Sequence, residues 1–228
     1  GVDRRGKNIL LLLNSDQIIK VNLGMTGRLL PFPEMPQGVE CPTHTAIQFR
    51  FFSGGLLVFD DTRRFGSVEA LTTAEWKVRA NLMGPEPLDP TYQASDLLDS
   101  LKNSSSPIRS WLLDQKRIAG VGNIYANEAL HLAQIHPQQQ AHNVTKSEAI
   151  SLYHSLRRVL KNAIDAGGTT IQDYRNVNGD KGEYAQKLNV YGKEGDKCPK
   201  CDSQVQRIVF SNRSAFYCPL CQPLRRSK

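Results

Sequence analysis

At 228 residues the chain has room for one large domain or two modest cores, and 29 basic against 22 acidic side chains give it a net charge of +7. That balance points to a polyanionic partner. No segment has the length and apolarity of a membrane span, and no basic amphipathic helix with bulky apolar residues argues for a membrane surface.

The first seventy residues read as β structure. Residues 9–13 are an apolar run, Asn14-Ser15-Asp16 carries turn chemistry, and residues 18–23 resume a strand. Residues 35–42 are rich in Pro and Gly and read as a surface loop. Residues 45–52 alternate, with Ile47, Phe49 and Phe51 on one face, before Ser53-Gly54-Gly55 turns the chain into residues 56–59. Short strands joined by tight turns suggest a sandwich or barrel.

Helices follow. Thr72 with Glu75 forms a capping box for a helix ending near Gly84-Pro85. Leu97, Leu98 and Leu101 mark a second helix, and Trp111 with Leu112 a third. Residues 118–128 are a glycine turn entering a helix, where free N–H groups and a partial positive charge suit an anion; Asn123 could cap that helix or donate to a phosphate oxygen. Tight packing explains the glycines equally well. Thr145 with Glu148 caps a longer helix whose apolar stripe is Ile150, Tyr153, Leu156, Val159, Leu160 and Ala163, and Gly167-Gly168 ends it.

The last stretch carries two knuckles, Cys198-Pro-Lys-Cys201 and Cys218-Pro-Leu-Cys221, around two strand-like runs. Four thiolates so spaced fill the tetrahedron of one structural Zn²⁺; two disulfides are the other reading, and an oxidising compartment is not expected. If the knuckles pin the ends of a hairpin, Arg213 stands at its tip. Cys41 has no thiol near it in sequence and is given no role. From Lys181 to Lys228, ten basic and four acidic residues leave +6, so most of the excess charge lies around the knuckles. A solvated basic tail is the alternative to a nucleic-acid contact.

Several motifs together, LGMTGRL (23–29), DTRRFG (61–66), GVGNIYANE (120–128), GGTT (167–170) and the closing QKLNVYGKEGDKCPKC and NRSAFYCPLCQ, resemble the formamidopyrimidine-DNA glycosylase family across essentially the whole chain. The resemblance implies an α+β protein: part of an N-terminal β-sandwich (1–71), a helix–two-turn–helix DNA-binding domain (72–190) and a zinc β-hairpin (191–228). It also implies a mobile loop near 172–185 that folds over an extruded base. The implied activity is base-excision repair: excision of oxidised purines such as 8-oxoguanine, then cleavage of the abasic site by β,δ-elimination. The implied partner is damaged double-stranded DNA, bound by a monomer in the bacterial cytoplasm, associated with the nucleoid.

By the same resemblance Lys7 is the active-site lysine that contacts phosphate and assists proton transfer. Met25, Arg63 and Phe65 fill the gap left by the extruded base, a task suited to a flexible apolar wedge, a guanidinium and an aromatic ring. Without the motifs, the same three read as a core methionine, a surface arginine and a core phenylalanine. Asn123 and Arg213 are phosphate clamps, and Tyr191 adds a phosphate contact. Arg213 is also assigned a part in elimination, although a guanidinium stays charged at neutral pH and is a poor acid, which favours its phosphate role.

Three positions depart from the pattern: Asn22 and Pro42 stand where many members carry histidine, and Ser104 where some carry a DNA-contacting lysine. The family's nucleophile is an N-terminal proline followed by glutamate. The sequence opens at Gly1 instead, so an upstream segment is expected, and these 228 residues alone are expected to bind DNA without excising a base. The alternatives are a non-catalytic binder of kinked or lesion-containing DNA and an endonuclease VIII-like enzyme for oxidised pyrimidines. The Met25 motif, Arg63-Arg64-Phe65 and Gly-Asn-Ile-Tyr lean towards purines.

Overall fold

The computed structural model describes residues 1–34, 42–52, 54–171, 181–210 and 212–225; most of the loops expected at 35–42 and 172–185, together with Cys41, lie outside them. The chain falls into two units, Gly1–Ala80 with Ala163–Gln186, and Asn81–Asn162 with Lys187–Lys228.

The first unit contains strands β1 (Val2–Arg5), β2 (Asn8–Leu12), β3 (Gln17–Asn22), β4 (Gly27–Phe32), β5 (Thr45–Arg50), β6 (Leu56–Asp61) and β7 (Ser67–Thr72). They form two antiparallel sheets, in the orders β1-β2-β3-β7 and β4-β6-β5. Val21 of the first sheet packs with Leu29 and Phe59 of the second, and Ile9, Leu11, Ile19 and Leu57 close round them. Burying such side chains contributes about 1.5–3 kcal/mol each, so this seam is what makes the two sheets a sandwich. The alternation at 45–52 does not translate into a buried face. β5 is an edge strand with an irregular register between Thr45 and Ile47, and both Ile47 and Phe51, the latter beyond the strand end, are exposed.

Helix α1 (Thr73–Asn81) starts at the expected capping box: Glu75 Oε2 accepts from the Thr72 N–H at 2.8 Å, and Thr72 Oγ1 accepts from the Glu75 N–H at 3.2 Å. It ends three residues short of Gly84. That glycine lies so close to the chain at Arg117 that a Cβ would stand 2.3 Å from the Arg117 carbonyl carbon.

Helices α2 (Ala94–Lys102), α3 (Ile108–Leu113), α4 (Asn123–Ala133) and α5 (Lys146–Asp165) follow. Leu97, Leu101, Ile108, Trp111, Leu112, Leu130, Leu152 and Leu156 form their fully buried interior. The stripe of α5 is buried as expected at Leu156, Val159 and Ala163 and departs from the expectation in the first turns. Its buried apolar residues are Ala149, Leu152, Leu156, Val159 and Ala163, whereas Ile150 is 39% exposed. A helix turns about 100° per residue, so Ile150 lies well round from Ala149. After α5 the N–H groups of Gly167 and Gly168 return to the carbonyls of Ile164 (2.9 Å) and Ala163 (2.7 Å), with φ of 68° and 98°. The second unit also holds the hairpin β8 (Gln206–Phe210) and β9 (Arg213–Tyr217). Among the described residues no helix is long and apolar enough to cross a membrane.

Candidate metal centre and nucleic-acid interface

The four cysteine sulfurs lie within 4.8 Å of one another at the base of the β8–β9 hairpin. Cys201 Sγ stands 3.4 Å from both Cys218 Sγ and Cys221 Sγ, and Cys198 Sγ stands 3.9 Å from Cys221 Sγ. A tetrahedron with Zn–S bonds of about 2.3 Å has sulfur–sulfur edges of roughly 3.8 Å, so the set fits one Zn²⁺ with no open position. Backbone N–H groups already point at the sulfurs, from Lys200 to Cys198 (3.5 Å) and from Cys221 to Cys218 (3.3 Å). Cys198, Cys218, Val190 and Val205 are buried around the cluster. The zinc is structural: it pins both ends of a hairpin too small to hold a core unaided.

At the other end of that hairpin the ladder closes with Phe210 opposite Arg213, and Asn212 takes φ 56° in the connecting turn. Arg213 is exposed on this tip. Beside it lies the start of α4. Gln115 braces the glycine turn, accepting from the Gly120 N–H (2.8 Å) and donating to the Val121 carbonyl (3.1 Å). Gly122, not Asn123, is the N-cap residue, and Asn123 makes no capping bond. Its Oδ1 instead accepts from Arg109 Nη2 (2.6 Å) and Asn127 Nδ2 (3.2 Å), which leaves its NH₂ facing the Ser214 carbonyl at 3.4 Å. The same Arg109 nitrogen donates to the Ser214 carbonyl at 2.7 Å, so one buried guanidinium grips both the helix start and the hairpin tip. Burial, and then the charge of Arg213, pull Arg109 down to about 10. It lies 4.9 Å over the Phe210 ring, and among the described residues no carboxylate pairs with it.

Tyr191 is positioned by Glu128, a buried carboxylate on α4. Glu128 accepts from the backbone N–H groups of Asn189 (2.8 Å), Val190 (2.9 Å) and Tyr191 (2.9 Å) and from Asn189 Nδ2 (2.9 Å). The Tyr191 ring meets Phe216 edge to face at 5.2 Å.

In the first unit, two turns pack backbone to backbone. A Cβ on Gly24 (φ 61°) would stand 2.7 Å from the Gly66 nitrogen, and one on Gly66 would stand 2.6 Å from Phe59 Cζ. Asn22 shapes the first turn by accepting from the Gly24 N–H at 3.0 Å. Asp61, wholly buried, joins the two turns. It accepts from Thr26 Oγ1 (2.5 Å) and from the N–H groups of Gly66 (2.7 Å) and Arg63 (3.3 Å). Burial alone raises its pKa, but Thr26 and the N–H groups of Gly66, Arg63 and Arg64 outweigh that and hold it below the usual carboxylate value. The turns present Met25 (63% exposed) and Phe65 (60% exposed), with the Arg63 guanidinium 4.7 Å over the Phe65 ring. Lys7 is exposed on the turn between β1 and β2, after Gly6 (φ 59°). Ser104 is buried, and its carbonyl accepts from the His142 N–H at 3.0 Å.

Thr26, Asp61, Arg109, Asn127, Glu128 and His131, all buried beside these groups, carry no role among the expectations from sequence. A signal existed for two of these, since Asn123, Asn127 and His131 recur every fourth residue of α4 and so share one face.

Three family models match the chain. The formamidopyrimidine-DNA glycosylase N-terminal domain covers residues 1–68, the H2TH domain of the same family residues 83–175, and the zinc finger found in FPG and IleRS residues 195–224. The formamidopyrimidine-DNA glycosylase of Chloroflexus aggregans is 40% identical over 223 residues, spanning 98% of this chain and 80% of the relative. That of Roseobacter denitrificans is 38% identical over 228 residues, spanning 96% and 81%. Among solved structures, the MutM (Fpg) protein of Thermus thermophilus aligns with a TM-score of 0.87 at 37% identity, covering 99% of this chain and 83% of that one. The Lactococcus lactis Fpg in complex with an abasic-site-containing DNA aligns with a TM-score of 0.88 at 31% identity, covering 98% and 81%.

Proposed function

The chain belongs to the formamidopyrimidine-DNA glycosylase family, and from that premise we propose that it serves base-excision repair as a bifunctional glycosylase and abasic-site lyase acting on oxidised purines in double-stranded DNA. The observation that carries this reading is the Arg109 hub. It holds the Asn123 carboxamide beside the exposed Arg213 of a zinc-pinned tip. Two donors on rigid supports, over a buried positive charge, suit a bent or interrupted phosphodiester backbone.

In this reading Asn123 and Arg213 clamp phosphate, and Tyr191 adds a contact at the loop that Glu128 fixes. Met25, Phe65 and Arg63 occupy the space of an extruded base. Their exposure and the stacked Arg63–Phe65 pair support that role, because a wedge has to present apolar surface to the base stack. Lys7 contacts phosphate near the reacting sugar and assists proton transfer. The domain limits that follow are 1–71 for the sandwich part, 72–190 for the helical part and 191–228 for the zinc hairpin. The protein works as a monomer in the cytoplasm, on nucleoid DNA.

Fluorescence anisotropy on a duplex with an abasic-site analogue tests the clamp. Arg213→Ala should weaken binding by about 1–3 kcal/mol and lower the salt slope by roughly one unit. Asn123→Ala should weaken binding with the slope unchanged. Wild-type affinity in both variants would sink the clamp assignment. Competing excision of 8-oxoguanine and thymine glycol duplexes by the whole enzyme tests the substrate class, and faster excision of thymine glycol would overturn the purine assignment.

A further inference from the structure

Each member of the Asn123–Asn127–His131 stripe on α4 meets the C-terminal module. Asn123 Nδ2 reaches the Ser214 carbonyl (3.4 Å), Asn127 Oδ1 accepts from the Phe216 N–H (2.7 Å), and His131 Nε2 lies 3.4 Å from Cys198 Sγ. His131 and Cys198 are both 0% exposed, and among the described residues His131 Nδ1 has no partner. A zinc-bound thiolate carries no proton, so towards Nε2 it can only accept. The ring therefore places its hydrogen on Nε2, the nitrogen that has something to bond. Leaving Nδ1 bare in a dry interior costs about 1–3 kcal/mol, a cost that a neutral packing role would not offset but a hydrogen bond to an anion can.

We propose that His131 is a positioning residue of the zinc centre: its Nε2–H donates to the Cys198 thiolate, which tightens zinc retention and ties the metal to the helix that carries Asn123. Cys198 then receives two N–H bonds, from His131 and from the Lys200 backbone, and both withdraw electron density from the sulfur. Such a thiolate holds its metal more firmly and reacts more slowly with electrophiles. The arrangement also fixes register. One rigid helix of eleven residues carries a phosphate-clamp candidate at its first residue and a partner of the zinc ligand two turns on. The inference depends only on the zinc site and stands whatever becomes of the DNA assignments.

The test uses the full chain in its zinc and cobalt forms. His131→Phe keeps a ring without a donor, and His131→Gln returns an N–H near the position of Nε2. In His131→Phe, zinc affinity measured by competition with a chromogenic chelator should fall 10–100-fold. The sulfur-to-cobalt charge-transfer band should move to longer wavelength, because a thiolate without its hydrogen bond gives up an electron more easily. His131→Gln should restore most of both. An unchanged band and affinity in His131→Phe would overturn the proposal, and so would failure of His131→Gln to restore them, since the role would then be packing. If His131→Phe does not fold, ¹⁵N spectra of the wild-type zinc form decide: an Nε2–H tautomer supports the bond and an Nδ1–H tautomer refutes it.

Discussion

Replacing Asp61 by Asn should loosen the two turns that carry Met25, Arg63 and Phe65 by about 3 kcal/mol. One carboxylate oxygen accepts from Thr26 Oγ1 and the Arg63 N–H, the other from the Gly66 N–H at 2.7 Å. An asparagine can present its oxygen to only one side. With the oxygen towards Thr26, the amide NH₂ faces the Gly66 N–H, donor against donor, and leaving that buried group unmade costs roughly 1–3 kcal/mol. The bonds that survive lose their charge assistance, about 1 kcal/mol each. Native-state hydrogen exchange reads the result locally. Protection at the Gly66 and Arg63 amides should fall by about two orders of magnitude, since about 1.4 kcal/mol is a factor of ten. Thr26→Val, which nearly keeps shape but removes both the donor to Asp61 and an acceptor of the Arg63 N–H (3.0 Å), should cost about 1–3 kcal/mol.

Acid gives an independent check. Asp61 is lowered in the folded protein, so its contribution is fully present above the unfolded value of about 3.9 and fades as pH falls through the folded value. Wild-type protection at these amides should therefore decay below about pH 4, and the Asn variant should lack that decay. Unaltered Gly66 protection in Asp61→Asn, or an acid profile identical to wild type, would refute the latch.

Three further outcomes are expected. Arg109→Met removes a buried charge that no carboxylate pairs with among the described residues, so unfolding stability should change by less than about 1 kcal/mol while affinity for abasic-analogue DNA falls at least about tenfold; equal losses of both would make Arg109 a purely structural residue. Glu128→Gln leaves fewer acceptor sites for four donors and should destabilise the fold by about 1–3 kcal/mol, with exchange rising first at Asn189, Val190 and Tyr191; uniform exchange along the chain would count against it. Zinc removal by a chelator should unfold the hairpin and abolish specific DNA binding, read by circular dichroism and anisotropy on one sample; intact affinity after verified metal loss would refute the presentation of Arg213 by the hairpin.

What the sequence disclosed and what it hid divide by range. Capping boxes and knuckles use partners three residues apart, so Thr72–Glu75, Thr145–Glu148 and the paired cysteines are legible from spacing alone. Strand β1 is short and polar and owes its existence to its neighbour: three of its four residues are charged, and only pairing with β2 makes it a strand. The mismatch in the first turns of α5 has the same origin, because Ile150 and Ala149 compete for the inner face and the rest of the core decides between them. The contacts that shape the sites are longer still. Asp61 reaches back 35 residues to Thr26, Glu128 reaches on 63 to Tyr191, and Arg109 reaches on 105 to Ser214.

The α4 stripe is the sharpest case. On a lone helix, Asn123, Asn127 and His131 read as a solvated polar face, the usual meaning of such spacing. In the fold that face meets the zinc hairpin, and each polar group finds a partner there. Met25, Phe65 and Arg213, which the family resemblance picks out, present themselves outward. The residues that were not legible are buried acceptors and donors, whose meaning depends on a partner the chain supplies only after it has folded. An exposed side chain on a turn or a small hairpin acts as a clamp only while such a group holds its support in one position. Variants of Asp61, Arg109, Glu128 and His131 should therefore change function without removing any atom proposed to touch DNA.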